Sequence, residues 1–212
     1  LEETKDTYRK CQKVCFDGNG YSDEWKAEAA RRGLDCETSA PLCYEAYLSR
    51  QTAKVYKDVG VMTPVELEAR AEIYWETFSK KIEIEARVLA DLTANHILPV
   101  ATRYENILLD NVSKMKEIFT DKKEFAEVSD GEVSIIKDIA RHCSAARALA
   151  DEMEEECDRL NALDDEKAKA IGYHDSVTVY LEEIRSHIDA LEMIVDDEMW
   201  PLPKYRELLF IR

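Results

Sequence analysis

The chain has 212 residues, 35% of them charged, with 29 Lys and Arg against 45 Asp and Glu for a net charge of −16. Such a surface repels phosphate backbones and anionic lipid, which argues against nucleic acid and membrane as partners. No apolar run approaches the ~20 residues that span a bilayer, and no basic-then-apolar signal segment opens the chain.

Only 6 Gly and 5 Pro interrupt a chain rich in Ala, Glu, Lys and Leu, so long helices are expected rather than sheets. Residues 1–15 read as a helix. There is no Met at position 1, which suggests a piece of a longer protein or a processed N-terminus. Asp17-Gly-Asn-Gly20 breaks the helix with a tight turn; no Lys-Ser/Thr follows, so it is not a phosphate loop. Ser22 caps a second helix, which Gly33 stops. A third helix starts at Thr38-Ser-Ala-Pro41, places Leu42, Ala46 and Ala53 among Tyr44, Tyr47 and Tyr56, and ends near Asp58 with Gly60 as its stop.

Thr63, Pro64 and Glu66 form a capping-box start. From Pro64 the pattern stays helical for about thirty residues, with Leu67, Tyr74, Phe78, Ile82, Leu89 and Leu92 at three-, four- and seven-residue steps. Pro99 predicts a kink near residues 95–98, where His96 or Asn95 can satisfy freed carbonyls. The pattern resumes through Val100, Tyr104, Ile107, Leu108, Met115 and Phe119. Ser129-Asp-Gly-Glu132 reads as the next break. A helix over 133–163 then turns Ile136, Ile139, Ala140, Cys143, Ala146 and Met153 inward. Residues 164–174, holding Gly172, read as a connector. The last helix spans about 176–200 through Val177, Tyr180, Leu181, Ile184, Ile188, Leu191 and Ile194. A helix of ~33 residues is ~50 Å long and must pack antiparallel to bury its stripe. The expected fold is all-α: a short-helix segment, 1–62, followed by an elongated antiparallel bundle of long helices, 63–212.

Candidate chemistry is sparse. Cys11, Cys15, Cys36, Cys43, Cys143 and Cys157 read as reduced thiols of a cytosolic protein rather than disulfides. Cys11 and Cys15, one turn apart, suit a shared buried face. His142, Cys143 and His174 fit no familiar zinc spacing. Asp138…His142 and Glu183…His187 sit at four-residue spacing, not the Glu-x-x-His of a di-iron bundle. Glu83, Glu85 and Asp91 read as solvated ion pairs with Lys80, Lys81 and Arg87. The run Asp151-Glu-Met-Glu-Glu-Glu156 reads as a solvated face. The residues alone thus give a helical bundle without catalytic, cofactor-binding or metal-binding groups. The end differs: Pro201 and Pro203 stop the last helix after Trp200, and Tyr205, Leu208, Leu209 and Phe210 follow. Those side chains either fold back on the bundle or dock on a neighbouring domain or subunit.

Four segments carry a family resemblance: Phe16-Asp-Gly-Asn-Gly-Tyr-Ser-Asp-Glu-Trp25 with Arg31-Arg-Gly-Leu34; Val61-Met-Thr-Pro-Val-Glu-Leu-Glu-Ala-Arg70; Asn95-His-Ile-Leu-Pro-Val-Ala-Thr-Arg-Tyr104; and residues 196–210. In that order they resemble type III glutamine synthetases; residues 119–175 carry no such motif. The resemblance implies the C-terminal helical region of a cytoplasmic enzyme that joins ammonia to glutamate with ATP and Mg2+. Its strand and loop motifs for metal and phosphate are absent here. The implied partners are the catalytic domain of the same chain and neighbouring subunits of a homo-oligomer. The alternative is an independent acidic helical scaffold or adaptor.

Overall fold

The structure is a computed structural model that describes residues 2–209, without the side chains of Tyr205 and Arg206. Phe210 and the Tyr205 side chain, expected in the apolar tail, lie outside the described residues. The described residues are all-α, with no strand among them.

The N-terminal helices follow their caps. Helix α1 (Glu2–Cys11) runs into a 3-10 turn, Gln12–Val14, and buries no side chain. Cys11 and Cys15 are therefore exposed rather than sharing a buried face, because no apolar surface lies against α1 for them to enter. In α2 (Asp23–Arg32) the Ser22 hydroxyl accepts the Trp25 N–H at 3.3 Å, and Gly33 closes the helix at φ 70°. The expected third helix is broken into α3 (Ala40–Cys43), a 3-10 turn Tyr44–Leu48, and α4 (Arg50–Asp58). Ser49 causes the break: its backbone is extended and its hydroxyl caps α4 through Thr52 N–H.

Helix α5 (Pro64–Leu92) starts with the expected capping box of Thr63 and Glu66. It continues through a π-helical segment, Thr93–Ile97, into α6 (Leu98–Ile118). The irregularity expected before Pro99 is thus a wide turn in a continuous rod. His96 and Asn95 do not serve its carbonyls; both are exposed, and Asn95 donates to Asp91 at 2.6 Å. Buried Thr93 does so instead, donating to the Leu89 carbonyl at 2.7 Å. Ile107 also departs from expectation, facing solvent while Leu108 takes the inner position.

Helix α7 (Lys122–Asn161) has 40 residues and passes straight through the expected break at Ser129–Glu132. The chain instead turns at residues 119–121, where Asp121 caps α7 by accepting the N–H groups of Lys123 and Glu124 at 3.0 Å. Ser129 is buried and donates to the Phe125 carbonyl at 2.8 Å, so it is a satisfied seam residue. Ala140, expected inside, is exposed, because the seam passes through Ile139 and Cys143 on either side of it.

The expected connector 164–174 is also mostly helix. Asp165 caps α8 (Glu166–Gly172), which passes through a second π segment, Tyr173–Val177, into α9 (Thr178–Glu192). Helix α9 stops eight residues before Trp200. The N–H groups of Ile194 and Val195 turn back on the Leu191 carbonyl, and the following turn brings Val195 and Trp200 into the core. A last turn, α10 (Tyr205–Leu208), ends the description.

Cross-helix hydrogen bonds fix the directions. Asn161 reaches Glu83, and Asn111 reaches Glu132, so α5–α6 and α7 run antiparallel. Ser176 reaches Glu156, and His187 meets His142, so α9 runs antiparallel to α7 on another side. The main core fills between these three rods, from Ala86 and Met153 to Ile184 and Trp200. A smaller cluster of Ala71, Trp75 and Ala170 receives the 40–48 segment through Tyr44 and Tyr47. Trp75 Nε1 donates to the Pro41 carbonyl at 2.8 Å, and Lys167 pairs with Glu45 at 2.8 Å, holding that segment on α5 and α8.

Two of the glycines read as breaks lie inside helical runs and differ in what a methyl group would meet. At Gly131 a Cβ finds open space; at Gly172 it lies 2.3 Å from Leu160 Cδ2. Gly131→Ala should stabilise the chain by ~1 kcal/mol through helix propensity. Gly172→Ala should be destabilising, since overpacking costs ~1–3 kcal/mol and only part is offset by propensity. Thermal melts of the two variants should move in opposite directions.

Candidate functional site

The motif from Phe16 to Trp25 builds a small module. Phe16 stacks on Trp25 at 4.4 Å, and the Arg32 guanidinium lies 5.5 Å from the Trp25 ring centroid. Arg32 also donates to the carbonyls of Lys13 and Cys15 and pairs with Glu28 at 2.6 Å. The motif's aromatic and Arg residues therefore tie the end of α1 to α2. The hydrogen bonds to Arg32 and Arg31 hold the Glu28 carboxyl below its usual range.

The most connected polar constellation joins α5, α7 and the second π segment. Glu83 accepts from Arg87 at 2.9 Å and from Asn161 at 2.8 Å. The fully buried Tyr173 donates to Asn161 Oδ1 at 3.0 Å. Glu83 is thus more than the solvated partner expected: Lys80 pairs with Glu76, leaving Glu83 to bridge helices. Burial raises the Glu83 carboxyl, but the Arg87 and Asn161 hydrogen bonds outweigh it and leave it below its usual range. Burial pushes the Tyr173 phenol and the neighbouring Cys157 thiol upward. The hydrogen bonds from Asn161 to Glu83 and from Tyr173 to Asn161 join three helical segments, so the network serves as an interhelical clasp. The Cys143 thiol is likewise pushed up, to about 11, first by burial.

The histidines do not assemble a metal centre. His96 is exposed, His174 bonds Asp175 at 2.8 Å, and His142 meets His187 instead of His174. Asp138, one turn from His142, is engaged by Arg141 at 2.9 Å. Among the described residues no three His, Cys, Asp or Glu side chains gather where one cation could be held. The six cysteines are unpaired thiols. The acidic run on α7 is solvent-facing except for Met153, which enters the core, and Glu156, which is half-buried and accepts from Ser176 at 2.8 Å.

At the C-terminal end, Lys204 donates to the Glu192 carbonyl at 2.9 Å and reaches Asp197, which pins residues 200–204 against the end of α9. Leu208 and Leu209 beyond this anchor are 69% and 59% exposed, so neither is covered by the bundle. Sequence reasoning passed over Thr93, Asn161 and Tyr173. Asn161 gave a weak signal near the end of an amphipathic run, where an amide can serve a neighbouring helix.

The clasp predicts an asymmetry. Tyr173→Phe removes a donor from exposed Asn161, which water can replace, and should cost ~1 kcal/mol. Asn161→Ala removes the oxygen acceptor of the buried Tyr173 hydroxyl, leaving it only the weak partner Cys157, and should cost ~1–3 kcal/mol despite the exposure of Asn161. Denaturant unfolding of both variants measures the order.

Comparisons with known proteins place these features. Residues 1–116 match the family described as the glutamine synthetase C-terminal domain. The chain is 44% identical over 199 residues to a glutamine synthetase of Bacteroides fragilis (strain YCH46), covering 94% of this chain and 27% of that protein. It is 30% identical over 208 residues to the type-3 glutamine synthetase of Dictyostelium discoideum, covering 98% and 28%. A glutamine synthetase of Butyrivibrio fibrisolvens is 25% identical over 209 residues, covering 99% and 29%. The chain thus spans less than a third of the length of these relatives. The three alignments run nearly the whole length of the chain, and the matched region holds the aromatic–arginine module, α5 and most of α6. This chain belongs to the glutamine synthetase C-terminal domain family.

Proposed function

We propose that this chain is the C-terminal accessory part of a glutamine synthetase and acts by packing and oligomer contacts. In the longer protein the activity is ATP-dependent ligation of ammonia to glutamate through a γ-glutamyl phosphate. The observation that carries this reading is near-complete alignment of this chain to less than a third of three glutamine synthetases. ATP and Mg2+ belong to the catalytic part, and no residue here is assigned a catalytic, cofactor-binding or metal role. The partners are the catalytic domain of the same chain and neighbouring subunits of a homo-oligomer in the cytoplasm. Among the described residues no helix is long and apolar enough to cross a membrane. Within the chain, residues 1–62 form a short-helix link from the catalytic part, and 63–212 form the bundle with its tail.

The 212-residue chain alone should show no γ-glutamyl transfer from glutamine to hydroxylamine. Turnover above background by the purified chain would defeat the assignment of the active site elsewhere.

The exposed Leu208 and Leu209 support docking of the tail outside its own bundle. Covering a large apolar side chain is worth ~1.5–3 kcal/mol. Deleting residues 205–212 should therefore weaken subunit association in the longer protein while leaving the melting point of the 212-residue chain nearly unchanged. Sedimentation and thermal melting separate the two effects. A large melting-point drop in the short chain with the oligomer intact would favour a tail that serves its own bundle.

A further inference from the structure

Two imidazoles meet between α7 and α9, with Nδ1 of His142 2.9 Å from Nδ1 of His187. At that separation the two nitrogens share one hydrogen. Which ring supplies it follows from a third group. Arg141 Nη2 lies 3.3 Å from His142 Nε2, and a guanidinium can only donate. Nε2 of His142 is therefore the acceptor, and its ring hydrogen sits on Nδ1. That hydrogen points at Nδ1 of His187, so the hydrogen of His187 sits on its own Nε2. The direction of the chain is fixed: Arg141 to His142 to His187.

An additional proton has two places to go. On Nε2 of His142 it would face the Arg141 guanidinium. On Nδ1 of His187 it would face the N–H of His142. The first loses only the Arg141 contact and leaves the N–H of His142 on His187; the second sets two donors head to head, so the contact between the rings breaks once both are protonated. Among the surrounding charges, Arg141 opposes a positive imidazole, while Asp138 favours one but is engaged by Arg141 at 2.9 Å. Glu183 and Arg185 flank His187 along α9, with Arg185 paired to Asp189, and Glu105 of α6 acts on the adjoining Cys143. The contact sits between buried Ile184 and Ile188, at the part of α9 that leads into the turn carrying Val195 and Trp200.

We propose that the His142–His187 contact is a proton-sensitive latch, neutral and closed above the ordinary histidine range, which acid breaks to loosen α9 and its following turn from α7. Burial first, then Arg141 and His187, push His142 below its ordinary value. The folded chain thus binds this proton less readily than the unfolded chain. The latch's stability is complete above the ordinary value and falls away as the pH drops below it.

His142→Asn tests this. An amide can offer its N–H to a neutral His187 or turn its carbonyl to a protonated one, so the variant keeps the contact at either pH. Between about pH 8 and about pH 5, the melting point of the wild-type chain should fall by about 2–4 °C more than that of His142→Asn. Parallel pH profiles would overturn the proposal. Nitrogen–hydrogen correlation NMR of the wild-type imidazoles gives a reading that needs no variant. At the alkaline end His142 should carry its hydrogen on Nδ1 and His187 on Nε2; the reverse tautomer of His142 would overturn the latch.

Discussion

Positions 125, 129, 132, 136, 139, 143, 146, 150, 153, 157 and 160 of α7 alternate in steps of four and three along almost its entire length. None of them is fully exposed, and Ile139, Ala146, Ala150, Met153, Cys157 and Leu160 are buried. A strict repeat averaging 3.5 residues keeps one stripe facing its partners along a whole helix. Helix α7 is the central member: α5–α6 packs on it from one side and α8–α9 from another. A helix of 40 residues is ~60 Å long, and such a stripe must be covered at every turn. The rods on either side are long because α7 is long. Their antiparallel directions follow from the short turns at residues 119–121 and 162–165.

This seam explains both what the sequence discloses and where a local reading fails. Helical class, the caps at Ser22, Thr63 and Gly33, and most inward positions follow from spacing and cap chemistry alone. The break placed at Ser129–Glu132 came from reading four polar or flexible residues as a unit. In the seam, Ser129 and Glu132 occupy inward positions; the first bonds its own helix and the second reaches Asn111. A Gly between them costs only ~1 kcal/mol in a helix, which the packing of a long stripe offsets. Gly172 reads as a loop residue for the same reason, yet its lack of a side chain is what lets Leu160 approach. A glycine within a periodic run is thus ambiguous until the opposing helix is placed.

The two π segments resolve a mismatch of phase. Buried positions step by four twice in succession at Thr93, Ile97 and Ala101, and at Tyr173, Val177 and the half-buried Leu181. A wider turn keeps such residues on one face of the helix. The loosened carbonyls find hydroxyl donors: Thr93 serves Leu89, Ser176 serves Gly172, and Thr178 serves His174. Pro99 marks the first segment in the sequence because it removes a donor, whereas no proline marks the second. The contacts between helices were hidden for a further reason. Asn161–Tyr173 and His142–His187 join residues whose spacing in the chain says nothing until the register of α7 against its neighbours is set.

Charge is divided as unevenly as structure. Residues 1–62 hold 10 Lys and Arg against 11 Asp and Glu, while residues 63–212 hold 19 against 34. The bundle's surface pairs, such as Lys114–Asp110 and Arg147–Asp151, lie mostly on single helices and are largely exposed, so each adds little to stability. The acidic excess therefore does not hold the bundle together. Apolar packing along α7 must exceed the mutual repulsion of those carboxylates. An unpaired carboxylate excess disfavours close approach of another acidic surface, whereas a nearly neutral segment can lie against one at little Coulombic cost. Outside the packed stripe apolar groups are left at restricted points, among which exposed Leu208 and Leu209 stand beyond the Lys204 anchor.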